Sequence, residues 1–196
     1  MLHVIDISAW QETPDWGAIA SSVDGVIIKI GEGTHLDDRF VEHVNNAVAH
    51  DIPYGVYYYA HAATIDEARQ EANTVNDWLV TYLRGETPRL GIWYDTEASE
   101  MLTGENSVAY IAANFVARLL EIGHTYVGIY ANYNWLTNYY DLQIVPKYVP
   151  FWVAQYSNNN DFAEEHPDRV VRMWQFTDSY TIGNDSYDCN IYYGSI

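Results

Sequence analysis

The sequence predicts an α/β fold, an abbreviated β/α barrel of eight strands with helices mainly in the first five units. Three observations predict it. Eight strand-like apolar runs recur along the chain, amphipathic helical patterns separate the early ones, and the last third passes into turn-rich segments. Nearly continuous apolar strands between such helices indicate a parallel sheet covered by helices. Eight strands with too few helices for a full set suggest closure into a shortened barrel.

The first strand is His3 to Ile7 and the second Val26 to Ile30. A helical pattern from Asp38 to His50 then places Phe40, Val44, Ala47 and Val48 on one face. After the strand Tyr54 to Ala60, Thr64-Ile65-Asp66-Glu67 has the form of a capping box. It opens a helix with Ala68, Ala72, Val75 and Leu79 inward that stops near Gly85. Leu90 to Tyr94 is the fourth strand. A third helix runs from about Ser107 to Gly123, with Val108, Ile111, Phe115 and Leu119 inward. Tyr126 to Ala131 is the fifth strand, and Asn132 to Tyr148 beyond it lacks a clean helical period. Phe151 to Gln155, Val170 to Phe176 and Tyr187 to Tyr193 complete the set, joined by segments such as Ser157-Asn158-Asn159-Asn160 as hairpins or short crossovers. No linker and no fixed-period repeat interrupts the chain, so residues 1–196 are expected to form a single domain.

With 27 acidic and 9 basic residues the formal charge is −18, which argues against nucleic acid and against anionic membranes as partners. No apolar run approaches the length of a membrane span. Cys189 is the only cysteine, which excludes an internal disulfide and a cysteine-based zinc site. The seven histidines show no paired helical spacing and no HExxH motif, so no metal is expected. His61, just after the third strand, is the one expected nearest a cleft. Gly31-Glu32-Gly33 lacks the third glycine of a phosphate-binding turn, and Ser8 and Ser99 lack a nucleophile elbow. The 18 Tyr and 7 Trp are a large aromatic complement, suited to sugar rings as well as to a core.

The most informative segment is Gly91-Ile92-Trp93-Tyr94-Asp95-Thr96-Glu97. It is an apolar strand running into two carboxylates two residues apart, which therefore leave one face. Two such acids repel each other and raise the pKa of one, which makes a proton donor near neutral pH. Asp6, in Val4-Ile5-Asp6-Ile7, and Asp188, in Tyr187-Asp188-Cys189-Asn190-Ile191, repeat the pattern of an acid in an apolar strand. Closing a barrel makes the first and last strands neighbours, bringing Asp6 and Asp188 to one rim.

In these segments, and over essentially the whole chain, the sequence resembles the glycoside hydrolase family 25 muramidases, which include many phage endolysins. The resemblance rests on Ile5-Asp6-Ile7-Ser8 with Trp10-Gln11; Ile28-Lys29-Ile30-Gly31-Glu32-Gly33-Thr34 with Asp37, Asp38 and Phe40; and Tyr54-Gly55-Val56-Tyr57. Tyr94-Asp95-Thr96-Glu97, Gly128-Ile129-Tyr130, Phe151-Trp152-Val153-Ala154-Gln155-Tyr156, Trp174-Gln175-Phe176 and Asp188-Cys189-Asn190 follow in the family's order. It implies a shortened TIM-like β/α barrel that hydrolyses the bond between N-acetylmuramic acid and N-acetylglucosamine in peptidoglycan, with retention and without a cofactor. Glu97 matches the family's catalytic acid, with Asp95 as the charge that raises its pKa and helps place the N-acetyl group. Asp6 and Asp188 match the remaining acids, as nucleophile, as stabilisers of the oxocarbenium-like transition state, or as orienters of the substrate's own acetamido group. Lys29 and Glu32 are expected to bind substrate or to pair with each other, and Tyr57, Tyr130, Trp152, Tyr156 and Trp174 to line the sugar groove. Trp10 and Trp93 are assigned mainly to packing.

The resemblance further implies a monomer acting on bacterial glycan strands. Met1-Leu2-His3-Val4-Ile5-Asp6 carries no signal-peptide pattern, so synthesis in the cytoplasm and release through a lesion such as a holin's are expected, or secretion if the chain is trimmed. Two other readings stand beside the muramidase: a silent sugar-binding barrel using the same groove, and a metal-dependent deacetylase on the same polymer. Filled positions at Asp6, Asp95, Glu97 and Asp188 favour the enzyme over the binder.

Overall fold

The computed structural model describes residues 1–196. The chain runs β1 (Leu2–Ile7), α1 (Trp16–Ser22), β2 (Gly25–Glu32), β3 (His35–Leu36), α2 (Phe40–Ala49), β4 (Tyr54–Tyr59), α3 (Ile65–Leu83) and β5 (Ile92–Asp95). It continues α4 (Val108–Ile122), β6 (Val127–Asn132), α5 (Tyr133–Asn138), β7 (Pro150–Ala154), α6 (Asp161–Glu165), β8 (Val170–Ile182) and β9 (Asp185–Tyr192). All eight expected strands form. The addition is β3, two residues that fold back antiparallel on the end of β2 and are too short to show a period.

Pairing of β1 with both β2 and β9 closes the sheet into a barrel ordered β1-β9-β8-β7-β6-β5-β4-β2. Neighbours from β1 through β8 are parallel, because each crossover between them is long enough to return the chain to the same end. The last step differs: a tight turn at Gly183, with φ of 62°, joins β8 directly to β9, which is therefore antiparallel to both of its neighbours. The abbreviation of the barrel follows from that hairpin, which takes the place of a helical crossover.

Helix boundaries follow local chemistry. Thr64 Oγ1 accepts from the Glu67 N–H at 3.2 Å, while the Glu67 carboxylate accepts from the Thr64 N–H at 3.0 Å, completing the capping box of α3. Buried residues of α2 are Phe40, His43, Val44 and Ala47, whereas Val48, expected inward, is exposed. At 3.6 residues per turn Val48 stands about 80° round the helix from Phe40, outside the arc that faces the sheet. Three short helices were not expected, since five to seven residues make fewer than two turns and show no amphipathic period. Their caps are legible nonetheless: Asp15, Asn132 and Asn160 each accept from the backbone N–H three residues on.

Two apolar cores result. One lies between the helices and the outer face of the strands; the other fills the barrel with Val4, Ile27, Leu90, Trp93, Tyr130, Trp152, Met173 and Tyr192. Trp93 is fully buried in the second, with its indole N–H on Leu90 O at 2.8 Å. A Cβ at Gly128 would stand 2.4 Å from the Trp93 ring and 2.7 Å from Pro150 O, so only glycine lets β6 pass this close. No helix is long and apolar enough to cross a membrane.

Candidate active site

Strand parity builds the site on the barrel core. Two residues beyond Val4, Ile27, Trp93 and Met173 come Asp6, Lys29, Asp95 and Gln175, so the same inward face that packs apolar side chains below presents polar ones at the rim. On β9 the order is reversed, and Tyr192 is followed upward by Asn190 and Asp188. Asp6 and Asp188 are cross-strand partners in the β1–β9 register.

Gln175 ties these two acids together. Its amide N–H donates to Asp6 Oδ2 at 3.0 Å and to Asp188 Oδ2 at 3.3 Å, and its carbonyl accepts from the Tyr130 and Tyr156 hydroxyls at 3.0 and 3.2 Å. Asn190 donates to Asp6 Oδ2 at 2.9 Å and to Val4 O at 2.8 Å, while accepting from the Trp152 indole at 2.7 Å. Burial first, and the neighbouring Asp188 charge second, push the Asp6 carboxyl from 3.8 up to about 7, against the donors Asn190 and Gln175. Asp188 is raised as well, by burial and then by Asp178. Sequence reasoning misses Gln175 and Asn190 as site residues. Uncharged amides in strands carry no chemical signature of their own, although both lie inside the Trp174-Gln175-Phe176 and Asp188-Cys189-Asn190 segments.

Across the rim, Thr96 holds the other two acids inward. Its N–H and hydroxyl both donate to Tyr130 O, at 3.0 and 2.9 Å, and its hydroxyl meets Tyr140 at 2.5 Å, so positions 95 and 97 share the opposite direction. Asp95 is 5% exposed and its Oδ1 has no hydrogen-bond partner. Burial, then the Glu97 charge, raise its pKa far above the usual carboxylate range, with Lys29 opposing. Glu97 is raised by burial and by Asp188, against the Asn132 amide. The spacing reading, that one acid of the pair raises the other, therefore falls on Asp95, and the direction that the resemblance implied is reversed: the charge of Glu97 acts on the more deeply buried Asp95. Glu97 forms the wall of a cavity of about 310 Å³ with Tyr130, Asn132, Ala154 and Tyr156.

Lys29 pairs with Glu32 at 2.5 Å, lies 5.3 Å above the Tyr59 ring, and holds the Glu32 carboxyl below its ordinary range. His61 packs edge-on against Tyr59. Tyr57 is half-buried near Asp6 and Asp95, and burial and those charges raise its hydroxyl pKa. Tyr156 is exposed at the cavity wall. Two expected groove residues are elsewhere. Trp152 has the right parity but lies one layer down, 2% exposed within the barrel, where it orients Asn190. Trp174 follows the inward Met173 and so points out of the barrel, with its indole donating to Gln155 O at 2.8 Å beside Pro167 and Arg169. Trp10, expected in packing, is 89% exposed. No three His, Cys, Asp or Glu side chains converge in a way that would hold a metal ion.

Carboxylates facing one another over the end of a β/α barrel, one of them raised beside an open cavity, define a glycoside-hydrolase type of site. The chain belongs to glycosyl hydrolases family 25, whose pattern matches residues 5–185. Solved structures agree with the fold. The modular autolysin LytC from Streptococcus pneumoniae is 24% identical with a TM-score of 0.84, over 98% of this chain and 46% of that one. The catalytic domain of endolysin ply40, from a bacteriophage of Listeria monocytogenes, is 24% identical with a TM-score of 0.78, over 97% and 92%. A muramidase from Trichobolus zukalii is 25% identical with a TM-score of 0.76, over 100% and 95%. The chain thus spans less than half the length of the autolysin. No protein of curated function matches it.

Proposed function

We propose that the chain is a muramidase, hydrolysing the β-1,4 bond between N-acetylmuramic acid and N-acetylglucosamine in bacterial peptidoglycan. The observation that carries this reading is Glu97, a carboxyl raised by burial and by Asp188 at the wall of an open cavity, across the rim from the Gln175-bridged Asp6–Asp188 pair. Glu97 delivers its proton to the glycosidic oxygen as the C–O bond breaks. The positive charge developing at the anomeric carbon is met by the Asp6–Asp188 pair, which below pH of about 7 shares a proton and carries the remaining negative charge. Asp95, buried and held as the acid beside Glu97, helps to place the substrate's N-acetyl group. Water then adds to the anomeric carbon on the face that the leaving group vacated and gives its proton to the ionised Glu97, which restores the acid and leaves net retention. Lys29, Glu32, Tyr57, Tyr130 and Tyr156 bind the sugars, the tyrosines through ring faces on pyranose CH groups.

Family membership and the likeness to a muramidase support the substrate class, and likeness to an endolysin catalytic domain supports a role in lysis of a bacterial host from within. The autolysin LytC has also been seen with a synthetic peptidoglycan ligand. The test is digestion of purified peptidoglycan with mass spectrometry of the fragments. N-acetylmuramic acid at new reducing ends is expected, and Glu97→Gln should abolish its release while leaving the circular dichroism spectrum unchanged. Fragments ending in N-acetylglucosamine, or lysis undiminished in the variant, would overturn the reading. Bound glycan without new ends would make the barrel a silent binder.

A further inference from the structure

The geometry points to Trp10 as a second platform for the glycan strand, across the rim from the Glu97 cavity. It rests on the muramidase reading above and names a specificity-determining residue within it. An indole 89% exposed is unusual for the residue type that gains most from burial, and this ring stacks on no other aromatic side chain. Its loop is nevertheless fixed. The Ser8 N–H donates to Gln11 Oε1 at 2.9 Å, the Gln11 N–H returns to Ser8 O at 3.0 Å, and the Ala9 N–H donates to the buried Asp37 at Oδ2, 3.0 Å away. A bare ring on an ordered turn is prepared for a ligand, because little freedom remains to be lost when one binds.

The ring separates two hollows at the end of β1. One, of about 340 Å³, runs from Trp10 to Lys29 and Glu32; the other, of about 180 Å³, reaches the tip of the β8–β9 hairpin at Asp185 and Ser186. Barrel order sets their direction. The Glu97 cavity belongs to β5, β6 and β7, whereas Trp10 stands above β9, β1 and β2 on the far side, the strands whose inward face carries Asp188, Asp6 and Lys29. A polymer that occupies the cavity and continues past the acids arrives at the Trp10 face. Pyranose rings present CH faces that stack on an indole, and the flanking carboxylates and Lys29 supply partners for hydroxyl and amide groups. Binding so far from the reacting bond serves long strands only.

The test is steady-state hydrolysis of a series of glycan fragments of increasing length by wild type, Trp10→Ala and Trp10→Phe. Wild-type kcat/KM should rise with length. In Trp10→Ala that gain should disappear, about a tenfold loss on the longest strands, carried by KM, with the shortest hydrolysable fragment cleaved as by wild type. Trp10→Phe should recover most of it, and thermal unfolding of all three should coincide. Equal kcat/KM for wild type and Trp10→Ala at every length, or an equal loss at every length, would overturn the assignment. A wild type that cleaves no fragment would overturn the muramidase reading and this assignment with it.

Discussion

Replacing Asp6 by asparagine should make the protein more stable at neutral pH while disabling it. Asp6 is buried beside Asp188, and its carboxyl is raised from 3.8 to about 7. A carboxyl raised on folding contributes stability that is full below pH 3.8 and is lost as pH climbs to about 7, since in that interval the native state holds a proton that the unfolded chain has released. The interval corresponds to about 4 kcal/mol at 1.36 kcal/mol per pH unit, and sharing of the proton with Asp188 reduces the expected difference to about 2–4 kcal/mol. Asparagine keeps the shape, and its carbonyl still accepts from Gln175 and Asn190 where Asp6 Oδ2 does. Urea denaturation of both proteins from pH 4 to pH 8.5 reads the effect. The curves should nearly coincide at the acid end, separate steadily toward pH 7 with the variant more stable, and then run parallel. A variant equal to or less stable than wild type at pH 8 would refute burial and charge repulsion as the cause.

Further expectations follow from packing and charge. Gly128→Ala should cost about 1–3 kcal/mol and lower the melting temperature by several degrees, because the added methyl meets Trp93 and Pro150 O within the barrel; an unchanged thermal midpoint would mean that the sheet yields freely there. With a formal charge of −18, the protein should be repelled by anionic wall polymers, so lysis of whole walls should rise with moderate salt or as pH falls toward about 5. Lysis insensitive to both would place the negative surface away from the cleft.

Most of the barrel was legible because its strands are continuous apolar runs and its longer helices carry their own caps. Thr64-Ile65-Asp66-Glu67 and Gly123 mark helix ends through bonds between neighbours in sequence. The hairpin closure was half legible: turn-rich sequence suggested it, yet the two-residue β3 and the short α1, α5 and α6 left no periodic trace. In the site, charge made the acids conspicuous. Trp152 and Trp174 lie away from the expected groove for different reasons, one by its burial inside the barrel and the other by strand parity beyond a register shift between β7 and β8 that sequence alone does not reveal.

What the sequence determined by itself is therefore local and chemical: strands, capped helices, and the inward alternation that sets Asp95 and Glu97 on one side of Thr96. Tertiary structure decided everything that depends on distance between remote residues. Only barrel closure sets Asp6 against Asp188 under one Gln175 amide, and burial is the largest cause that raises Asp95 and Glu97, because desolvation depends on what the rest of the chain excludes from water. The same closure leaves Trp10 exposed at the rim.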